Sequence, residues 1–435
     1  MVILLIVLIN IFLKNDILRI IRIFRHVFRT VCFCFKLKPI SYEGKTLFLP
    51  VSLSFSVAMF ASCSSSVPKS PEQRVEYNED FFSIAVSDVK DTIKVYIEDL
   101  VDSLVILPLD NDKKALCAPL TVYITEQHIG LTPSERGGTY KLFSRDGSFL
   151  CNVGGFGQGP GEYTALLYHQ IDEKAKRIYL NTFEASQIMV YDFKGQYLHD
   201  IPLASILHKG SFKVDSEHKM IYCFDVPAGQ SPFVWKQDFE GNIKGKIHSY
   251  PYTLKPDFGN DVQTMFNTEA FYTSVSAGFE QLEGMNDTLY HYYPETDVLT
   301  PVFYADFGKE GHLHRYLNTP LNYYVGLSSG YTNDRGPFTT LDYTVIKVDK
   351  KTHEASYIKL FSRGYGGLPL DLYYAQFRFG YFYLWMEPIE LKEQLSQILK
   401  LSEMDTAMRG KVEKLYNGLS ENGNSVLLFG RLKQK

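Results

Sequence analysis

The sequence has few cysteines and lacks the short motifs that identify common metal and nucleotide sites. Six cysteines occur among 435 residues, and only Cys117, Cys151 and Cys223 follow Cys63. Three scattered cysteines form neither a disulfide framework nor a Cys-x-x-Cys zinc knuckle. His-Glu-x-x-His and a Walker-type Gly-Lys-Ser/Thr loop are also absent from the sequence. We therefore expect these cysteines to be small buried apolar side chains, and we predict no cofactor and no bound metal.

Positive charge is scarce once the N-terminal segment is set aside. The whole chain has a formal net charge of −4, and residues 1–62 hold eight Lys/Arg and two Asp/Glu. Residues 63–435 therefore have a net charge of −10, because the segment alone contributes +6. Binding to a nucleic-acid backbone needs clustered Lys and Arg. We expect no nucleic-acid partner.

Apolar and aromatic side chains, by contrast, are abundant. Hydrophobic residues make up 45% of the chain and aromatic residues 14%, with 30 Tyr and 31 Phe. This composition supports a buried core and differs from that of disordered chains. Tyr, Phe, Val and Ile are enriched in strands, so the composition favours β structure.

Residues 1–62 have the composition of a targeting segment. A first apolar run spans residues 1–13, and arginines then recur at helical spacing. A second run, TLFLPVSLSFSVAMF, follows Lys45 and leads into small residues, as secretory signal peptides do. We predict a signal or membrane-targeting segment. Two interpretations of its first part stay open: a true membrane anchor, or an extension ahead of the real start site.

A lipidation site follows the second apolar run. Phe60-Ala61-Ser62-Cys63 resembles a bacterial lipobox, in which the cysteine carries the lipid. The polar stretch SSSVPKSPEQ after it is typical of a flexible tether. We predict that Cys63 is lipidated and anchors the chain to a membrane, and that residues 63–88 form the tether. The alternative is that residues 1–45 form the anchor and Cys63 is an ordinary thiol.

A four-strand unit of about 47 residues repeats along the rest of the chain. Three hairpins share an aromatic-rich strand, a turn ending in glycine and a second alternating strand. They are residues 140–154, 188–202 and 233–247. Their turn glycines, Gly147, Gly195 and Gly241, are spaced 48 and 46 residues apart and should supply positive φ. Another strand pair precedes each hairpin, so each unit has four antiparallel strands.

Units of this kind indicate a β-propeller. One four-stranded sheet cannot bury both of its faces, whereas a ring of such sheets stacks blade on blade. More divergent units follow at residues 286–308, 339–361 and 375–388. We predict an all-β fold, a six-bladed β-propeller of four-stranded antiparallel blades, over residues 89–435.

A helical insertion interrupts the last blade. Apolar residues recur at helical spacing over residues 388–419, and Pro388 suits a first helical turn. Ordinary packing is the expected role of this insertion, with a partner-binding helix as the alternative. The strand-like segment 424–432 follows, and we expect it to pair with residues 104–109 and close the ring.

Three segments resemble the six-bladed β-propeller lipoproteins of Bacteroides-type bacteria, distant relatives of NHL-repeat propellers. They are RDGSFLCNVGGFGQGPGEY, NDTLYHYYPETDVLTPVFYADFG and ENGNSVLLFGRLK, which start at residues 145, 286 and 421. The resemblance covers residues 90–432 and implies a propeller fold, with no defined biochemical activity. Surface-exported lipoproteins of this kind usually carry acidic residues directly after the lipidated cysteine, and Ser64–Pro68 has none. We therefore expect a lipid-anchored envelope protein on the periplasmic face of the outer membrane.

The glycine-rich segment GGFGQGPGEY spans residues 154–163. It does not match the Gly-x-Gly-x-x-Gly fingerprint, because Pro160 or Glu162 takes the last glycine position, and Glu162 would repel a phosphate. We expect this loop to cross from the outermost strand of one blade to the innermost strand of the next, near Tyr168. Tyr163 should pack against a neighbouring blade, and Glu162 should accept hydrogen bonds from loop amides.

Loops on the same face as that crossing supply candidate ligand-binding residues. The candidates are Arg136, Glu162, Tyr163, Glu184, Gln187 and Gln230. Polar and aromatic groups around a channel mouth suit a saccharide, a peptide or a protein. For each of these residues the alternative is an ordinary solvated loop position.

His312 and His314 form the closest histidine pair in the sequence. On a strand both imidazoles would share one face and could bind Zn²⁺ with a third ligand, but the segment GKEGHLHRYLN is typical of a loop or helix. We predict that the protein is a ligand- or partner-binding propeller without catalysis. The alternative is a propeller enzyme, a lyase or hydrolase acting on polysaccharide or peptide, with or without a metal.

Overall fold

The computed structural model describes residues 81–135, 137–226, 232–248, 262–268, 270–277, 288–308, 313–329, 342–401 and 404–434. These residues belong to a compact unit that spans Glu72–Lys435. The targeting segment and the lipidation site Cys63 lie outside the described residues, so both remain predictions.

Three strands precede the first blade. They are β1 (Phe82–Ala85), β2 (Thr92–Tyr96) and β3 (Val105–Pro108), with the short helix α1 (Ile97–Leu100) between the last two. Strand β1 lies inside residues 63–88, which the sequence analysis assigned to the tether. The ring of Phe82 packs edge-on against Phe303 at a centroid distance of 5.3 Å, so the folded chain includes this strand.

Blades 1 to 3 each have four antiparallel strands in chain order. Blade 1 consists of β4 (Pro119–Ile124), β5 (His128–Pro133), β6 (Tyr140–Ser144) and β7 (Phe149–Val153). A two-residue parallel pair follows, β8 (Gly155–Phe156) and β9 (Glu162–Tyr163). Blade 2 consists of β10 (Tyr168–Asp172), β11 (Arg177–Asn181), β12 (Ala185–Tyr191) and β13 (Tyr197–Leu207). Blade 3 consists of β14 (Ser211–Asp215), β15 (Met220–Phe224), β16 (Pro232–Asp238) and β17 (Ile243–His248).

Blades 4 to 6 repeat this order with additions. Blade 4 consists of β18 (Val262–Asn267), β19 (Tyr272–Ala277), β20 (Thr288–Tyr293) and β21 (Val298–Asp306). Blade 5 consists of β22 (Leu313–Asn318), β23 (Asn322–Ser329), β24 (Asp342–Asp349) and β25 (Ala355–Ser362), and β26 (Leu368–Leu370) pairs with β25. Blade 6 contains β27 (Gln376–Arg378), β28 (Tyr381–Met386) and β29 (Val426–Arg431). The six-bladed β-propeller predicted from the sequence is confirmed.

The N-terminal strands complete the outer edges of blades 4 to 6. Strand β3 pairs antiparallel with β29, with Val426 opposite Pro108, and supplies the fourth strand of blade 6. This confirms the predicted closure of the ring. Strands β1 and β2 add in parallel to β21 and β25. Such additions cover backbone groups that an outermost strand would otherwise leave unpaired.

The hairpin turns of the first three blades follow one local design. Gly147, Gly195 and Gly241 have φ values of +87°, +79° and +87°, as predicted from the repeat. In blades 2 and 3 an aspartate three residues before the glycine accepts backbone hydrogen bonds, as Asp192 does from Lys194 N at 2.9 Å. Each turn therefore closes through local contacts that the sequence repeats.

The core is divided into six apolar clusters, one between each pair of neighbouring blades. The cluster between blades 1 and 2, for example, joins Leu142 and Val153 to Ile178 and Met189. Alternate side chains of every strand face opposite neighbours, so each blade buries both of its faces. The ring order of the blades is therefore fixed by packing as well as by chain connectivity.

Two helices form the predicted insertion of blade 6. They are α2 (Pro388–Leu399) and α3 (Thr406–Gly418). Pro388 lies in the first turn of α2, and the Asp405 carboxylate caps α3 by accepting from Met408 N at 2.8 Å. Their buried side chains, which include Leu391 and Val412, join the cluster between blades 5 and 6. The predicted packing role of the insertion is confirmed for this face of the helices.

Candidate functional site

The two ends of the ring differ in their connections. At one end, here the turn face, hairpins of two to five residues join the first strand of a blade to its second and, in blades 1 to 5, the third to its fourth. At the other end, here the loop face, lie the connections between second and third strands and the crossings between blades. These include the glycine-rich crossing, residues 363–375 and the helical insertion. Long connections on a rigid scaffold are where binding residues concentrate, so the loop face is the candidate functional surface.

Exposed apolar side chains are concentrated on the loop face. Among the described residues, fifteen large hydrophobic side chains are exposed, and nine of them lie on connections or strand ends at this face. The nine are Leu116, Leu120, Phe156, Phe183, Ile206, Tyr373, Tyr374, Ile389 and Leu401. The other six lie on outer strands or at the turn face. Among the described residues, the loop face therefore exposes more large apolar side chains than the rest of the surface does.

Four aromatic rings form a continuous strip on this face, here called the aromatic strip: Tyr343, Tyr373, Tyr374 and Trp385. Successive ring centroids are 5.4, 5.0 and 5.9 Å apart, and the first two pairs pack edge to face. Tyr373 and Tyr374 are 42% and 44% exposed, and they lie on the crossing from blade 5 to blade 6. Tyr343 is the second residue of β24 and Trp385 the last but one of β28, so both rings lie at the loop-face ends of their strands.

Arg315 fixes the crossing that carries the two exposed tyrosines. Its Nε donates to the Tyr343 hydroxyl at 2.6 Å, and its Nη2 lies 3.3 Å from the carbonyl oxygen of Tyr373 and 3.4 Å from that of Ala375. Burial raises the pKa of the Tyr343 hydroxyl, while the neighbouring guanidinium acts in the opposite direction. The innermost strand of blade 5 therefore holds the strip in place through a planar cation.

A histidine–aspartate pair lies between blades 2 and 3 on the same face. The His208 Nδ1 atom lies 2.9 Å from Asp225 Oδ2, and the fully buried Asp225 also accepts from the backbone amides of His208 and Val226. This hydrogen bond raises the pKa of His208. The backbone amide of Glu184 donates to the His208 carbonyl oxygen at 3.1 Å. With Nδ1 turned to Asp225, Nε2 remains for contact with a ligand.

Aromatic side chains from several blades meet near the centre of the ring. The ring of Phe379 stacks on Tyr123 at 4.0 Å and lies 6.0 Å from Tyr168. The Tyr168 hydroxyl lies 2.7 Å from that of Thr268 in blade 4. In this part of the structure, apolar rings occupy the space between the innermost strands. Side chains of blades 1, 2, 4 and 6 thus meet between the innermost strands.

His169 bridges the innermost strands of blades 1 and 2. Its Nε2 atom lies 3.0 Å from Thr121 Oγ1 and its Nδ1 atom 3.0 Å from the Tyr140 hydroxyl. Burial lowers the pKa of His169 to about 3, and the positive charge of Arg378 acts in the same direction. The imidazole is therefore neutral, and both of its nitrogen atoms are engaged by protein groups.

The glycine-rich crossing has the structure that its sequence predicted. Tyr163 is 3% exposed, and its hydroxyl accepts from Tyr140 N at 2.8 Å and donates to the Val153 carbonyl. The Glu162 carboxylate accepts from Gly159 N at 2.9 Å. Tyr163 is thus an internal packing residue. Glu162 is exposed, and its carboxylate stabilises the loop through the hydrogen bond from Gly159 N. Ligand binding by either residue remains a prediction.

The other predicted site residues are separated on the face. Glu184 lies in the turn between β11 and β12, at a φ of +52°. Gln187 lies within β12, where its Nε2 donates to Asp200 Oδ2 at 2.8 Å, so it is a strand residue and not a loop residue. Arg136 and Gln230 lie outside the described residues. Of the four candidates that the structure describes, Glu184 is the one that contacts the His208–Asp225 pair.

The segment around the predicted histidine pair is a strand and not a loop or helix. His314 lies on β22, is 7% exposed and packs against Phe307 at a ring distance of 4.0 Å. The expectation of a loop or helix was wrong from residue 313 onward, because β22 pairs along its whole length with β23. His312 lies outside the described residues, so a pairing of the two imidazoles stays untested.

Sequence reasoning missed three features of this chain. The aromatic strip could have been suspected from the adjacent Tyr373 and Tyr374, but its four rings come from three separate elements. The His208–Asp225 pair has no sequence motif. Residues 326–330 spell Gly-x-Ser-x-Gly, the pattern of a nucleophile elbow, yet Ser328 lies on β23 between β22 and β24 and not at a strand-to-helix turn.

The described residues contain no group of three His, Cys, Asp or Glu side chains arranged to hold a metal ion. They also contain no helix that is long and apolar enough to cross a membrane.

Comparison with solved structures supports the fold. A Bacteroides fragilis protein, named as an exported protein, superposes with a TM-score of 0.53 at 14% identity, covering 81% of this chain and 100% of its own. A DUF4221 family member from Bacteroides vulgatus matches with a TM-score of 0.38 at 10% identity, over 77% of this chain and 97% of its own. No curated protein matches the sequence.

The sequence also matches one family model, described as a domain of unknown function, DUF4934, over residues 81–431. This range takes in every blade, from β1 to the last strand of blade 6. The chain therefore belongs to the DUF4934 family.

Proposed function

We propose that this propeller is a binding module of the bacterial cell envelope, which holds a saccharide, peptide or protein on its loop face without reacting with it. The observation that carries the proposal is the aromatic strip. Its two central tyrosines expose more than two fifths of their surface. The strip gives the loop face a rigid apolar surface with polar edges.

The rings of the aromatic strip are fixed in position by their contacts with one another and with Arg315, and this favours binding. Edge-to-face packing between Tyr343, Tyr373 and Tyr374 fixes the rings before a ligand arrives. Tyrosine and tryptophan have few rotatable bonds, so ordering them costs little entropy. Arg315 adds a second restraint by bonding the backbone of the crossing. A ligand that covers the strip therefore gains apolar contact with little loss of protein freedom.

The envelope location is the second part of the proposal. The lipobox-like sequence at Cys63 and the exported protein of Bacteroides fragilis with the same fold support it. Lipidation of Cys63 would anchor the propeller to a membrane, and the lack of acidic residues in Ser64–Pro68 supports the periplasmic face of the outer membrane. Metabolic labelling with a radioactive fatty acid should label the wild-type chain and leave a Cys63→Ser variant unlabelled. Equal labelling of both chains would rule out Cys63 as the anchor.

A lyase or hydrolase is the second candidate function, and the His208–Asp225 pair favours it. A buried carboxylate that bonds Nδ1 orients the imidazole and raises its basicity, which suits Nε2 to accept a proton. Turnover of any oligosaccharide or peptide that His208→Gln abolishes would support this candidate. Binding without turnover would support the binding module.

The binding proposal is tested by removing exposed rings. Tyr373→Ala and Tyr374→Ala should each weaken ligand binding about tenfold or more, as loss of a central aromatic contact does. Leu321→Ala is the matched control, because Leu321 is 41% exposed and lies in a hairpin at the turn face. Binding that survives both tyrosine substitutions but fails in the control would move the site to the opposite face.

A further inference from the structure

We infer that the ligand of the aromatic strip is a saccharide chain without acidic groups, an inference that rests on the proposed binding function. The strip offers ring faces and edges, and the charges around it select against acidic ligands.

The shape of the strip fits a chain ligand better than a compact one. Four rings follow one another at 5.0 to 5.9 Å, from β24 across the turn 371–375 to β28. Pyranose rings have a flat apolar C–H face that packs on aromatic side chains, and their hydroxyl groups remain at the edge. Successive sugar units can therefore contact Tyr373 and Tyr374, which are the two exposed rings of the strip.

The cation beside the strip is occupied by the protein itself. Arg315 donates from Nε to the Tyr343 hydroxyl, and Nη2 lies within 3.5 Å of the carbonyl oxygens of Leu372, Tyr373 and Ala375. Three of the five N–H donors of Arg315 are directed to this hydroxyl and these carbonyls. Arg315 is thus a positioning residue for the turn.

The free charges near the strip are negative. Burial raises the pKa of the Tyr374 hydroxyl, and the carboxylates of Asp371 and Glu390 raise it further. In the part of the chain that the structure describes, neither carboxylate takes part in an ion pair. Asp371 Oδ1 accepts from Tyr373 N at 2.8 Å, which leaves its other oxygen for a ligand. Carboxylates accept hydrogen bonds from sugar hydroxyls and repel uronic acids or sulfated sugars.

The experiment is calorimetric titration of the full chain with oligosaccharides of equal length and different charge. The probes are uncharged hexose oligomers of several linkages, an oligogalacturonate, and an oligosaccharide of amino sugars. At least one uncharged oligomer should bind, with a Kd that changes less than about twofold between low and high salt. Tyr374→Ala should weaken that binding about tenfold while the melting temperature stays close to that of the wild type.

Charge-removing variants provide the matched control. Asp371→Asn and Glu390→Gln keep the size of each side chain and remove the negative charge, so together they should let the oligogalacturonate bind. Wild-type binding of the acidic oligomer in preference to uncharged ones would overturn the inference. Binding of only a peptide or protein at Tyr374 would overturn it too, while leaving the proposed function intact. Saccharide binding that Tyr374→Ala does not alter would overturn the assignment to the strip.

Discussion

Two glycines each make room for a tyrosine that lies across the sheet. A Cβ added at Gly130 would lie 1.8 Å from the Tyr140 hydroxyl oxygen, and one at Gly326 would lie 1.9 Å from that of Tyr343. In both blades the glycine is on the second strand and the tyrosine on the third, two residues from the glycine's cross-strand partner. In blade 1 the tyrosine reaches His169, and in blade 5 it reaches Arg315. The same glycine–tyrosine arrangement thus contributes to core packing in blade 1 and to the candidate site in blade 5.

Gly130→Ala should destabilise the protein by about 1 to 3 kcal/mol, as overpacking in a core does. The tyrosine cannot yield easily, because Tyr140 is fully buried and its hydroxyl contacts His169. Thermal unfolding followed by circular dichroism measures the effect. Gly155→Ala is the control, since nothing lies within 4 Å of its added Cβ. Equal melting temperatures for the two variants would show that Tyr140 is free to move.

His169 should make stability fall at acid pH. Burial lowers its folded pKa to about 3, whereas its unfolded pKa is near 6.5. A histidine held neutral stabilises the fold fully above pH 6.5, and this stability is lost progressively as the pH falls toward 3. His169→Gln removes the titration, so its free energy of unfolding should vary less with pH, by up to about 1.4 kcal/mol per unit between pH 6 and pH 4. Parallel curves for the two proteins in urea unfolding would contradict this.

At the scale of elements, the N-terminal strands run along the outer edges of three consecutive blades. Strand β1 adds to blade 4, β2 to blade 5, and β3 completes blade 6. The last of these contacts joins the two ends of the folded chain across the ring closure. Blade 6 without β3 would have three strands and an exposed edge.

A chain that starts at residue 110 should therefore fail to unfold cooperatively, because it lacks the closing strand. A chain that starts at residue 87 lacks only β1, leaves blade 4 with its four strands, and should unfold cooperatively at a lower temperature. Differential scanning calorimetry distinguishes the two. A sharp transition in the shorter chain would show that closure by β3 is dispensable.

Elements built from local contacts could be predicted from the sequence, and those built from distant contacts could not. The hairpins with Gly147, Gly195 and Gly241 repeat one turn signal. The sequence therefore predicted both their strands and the propeller fold. The closing strand β3 could be inferred because the last unit was one strand short. The parallel pairing of β1 and β2 has no local signal. The aromatic strip likewise depends on how β24, the turn 371–375 and β28 meet.

At the scale of the whole molecule, the residues that stabilise the ring and the candidate binding residues lie in different regions. Six apolar clusters hold neighbouring blades together around the ring, and short hairpins close the turn face. The loop face carries the longer connections, most of the exposed apolar side chains, the aromatic strip and the His208–Asp225 pair. A ligand can therefore be selected by loop residues without disturbing the contacts that hold the ring.

The most direct test of this division uses the two tryptophans. Trp235 is fully buried between blades 2 and 3, whereas Trp385 belongs to the aromatic strip. Titration with an oligosaccharide that binds the protein should change the tryptophan emission and protect Trp385 from quenching by acrylamide. Trp385→Phe should abolish both effects. A ligand that binds by calorimetry yet leaves the emission and quenching of Trp385 unchanged would contradict the account.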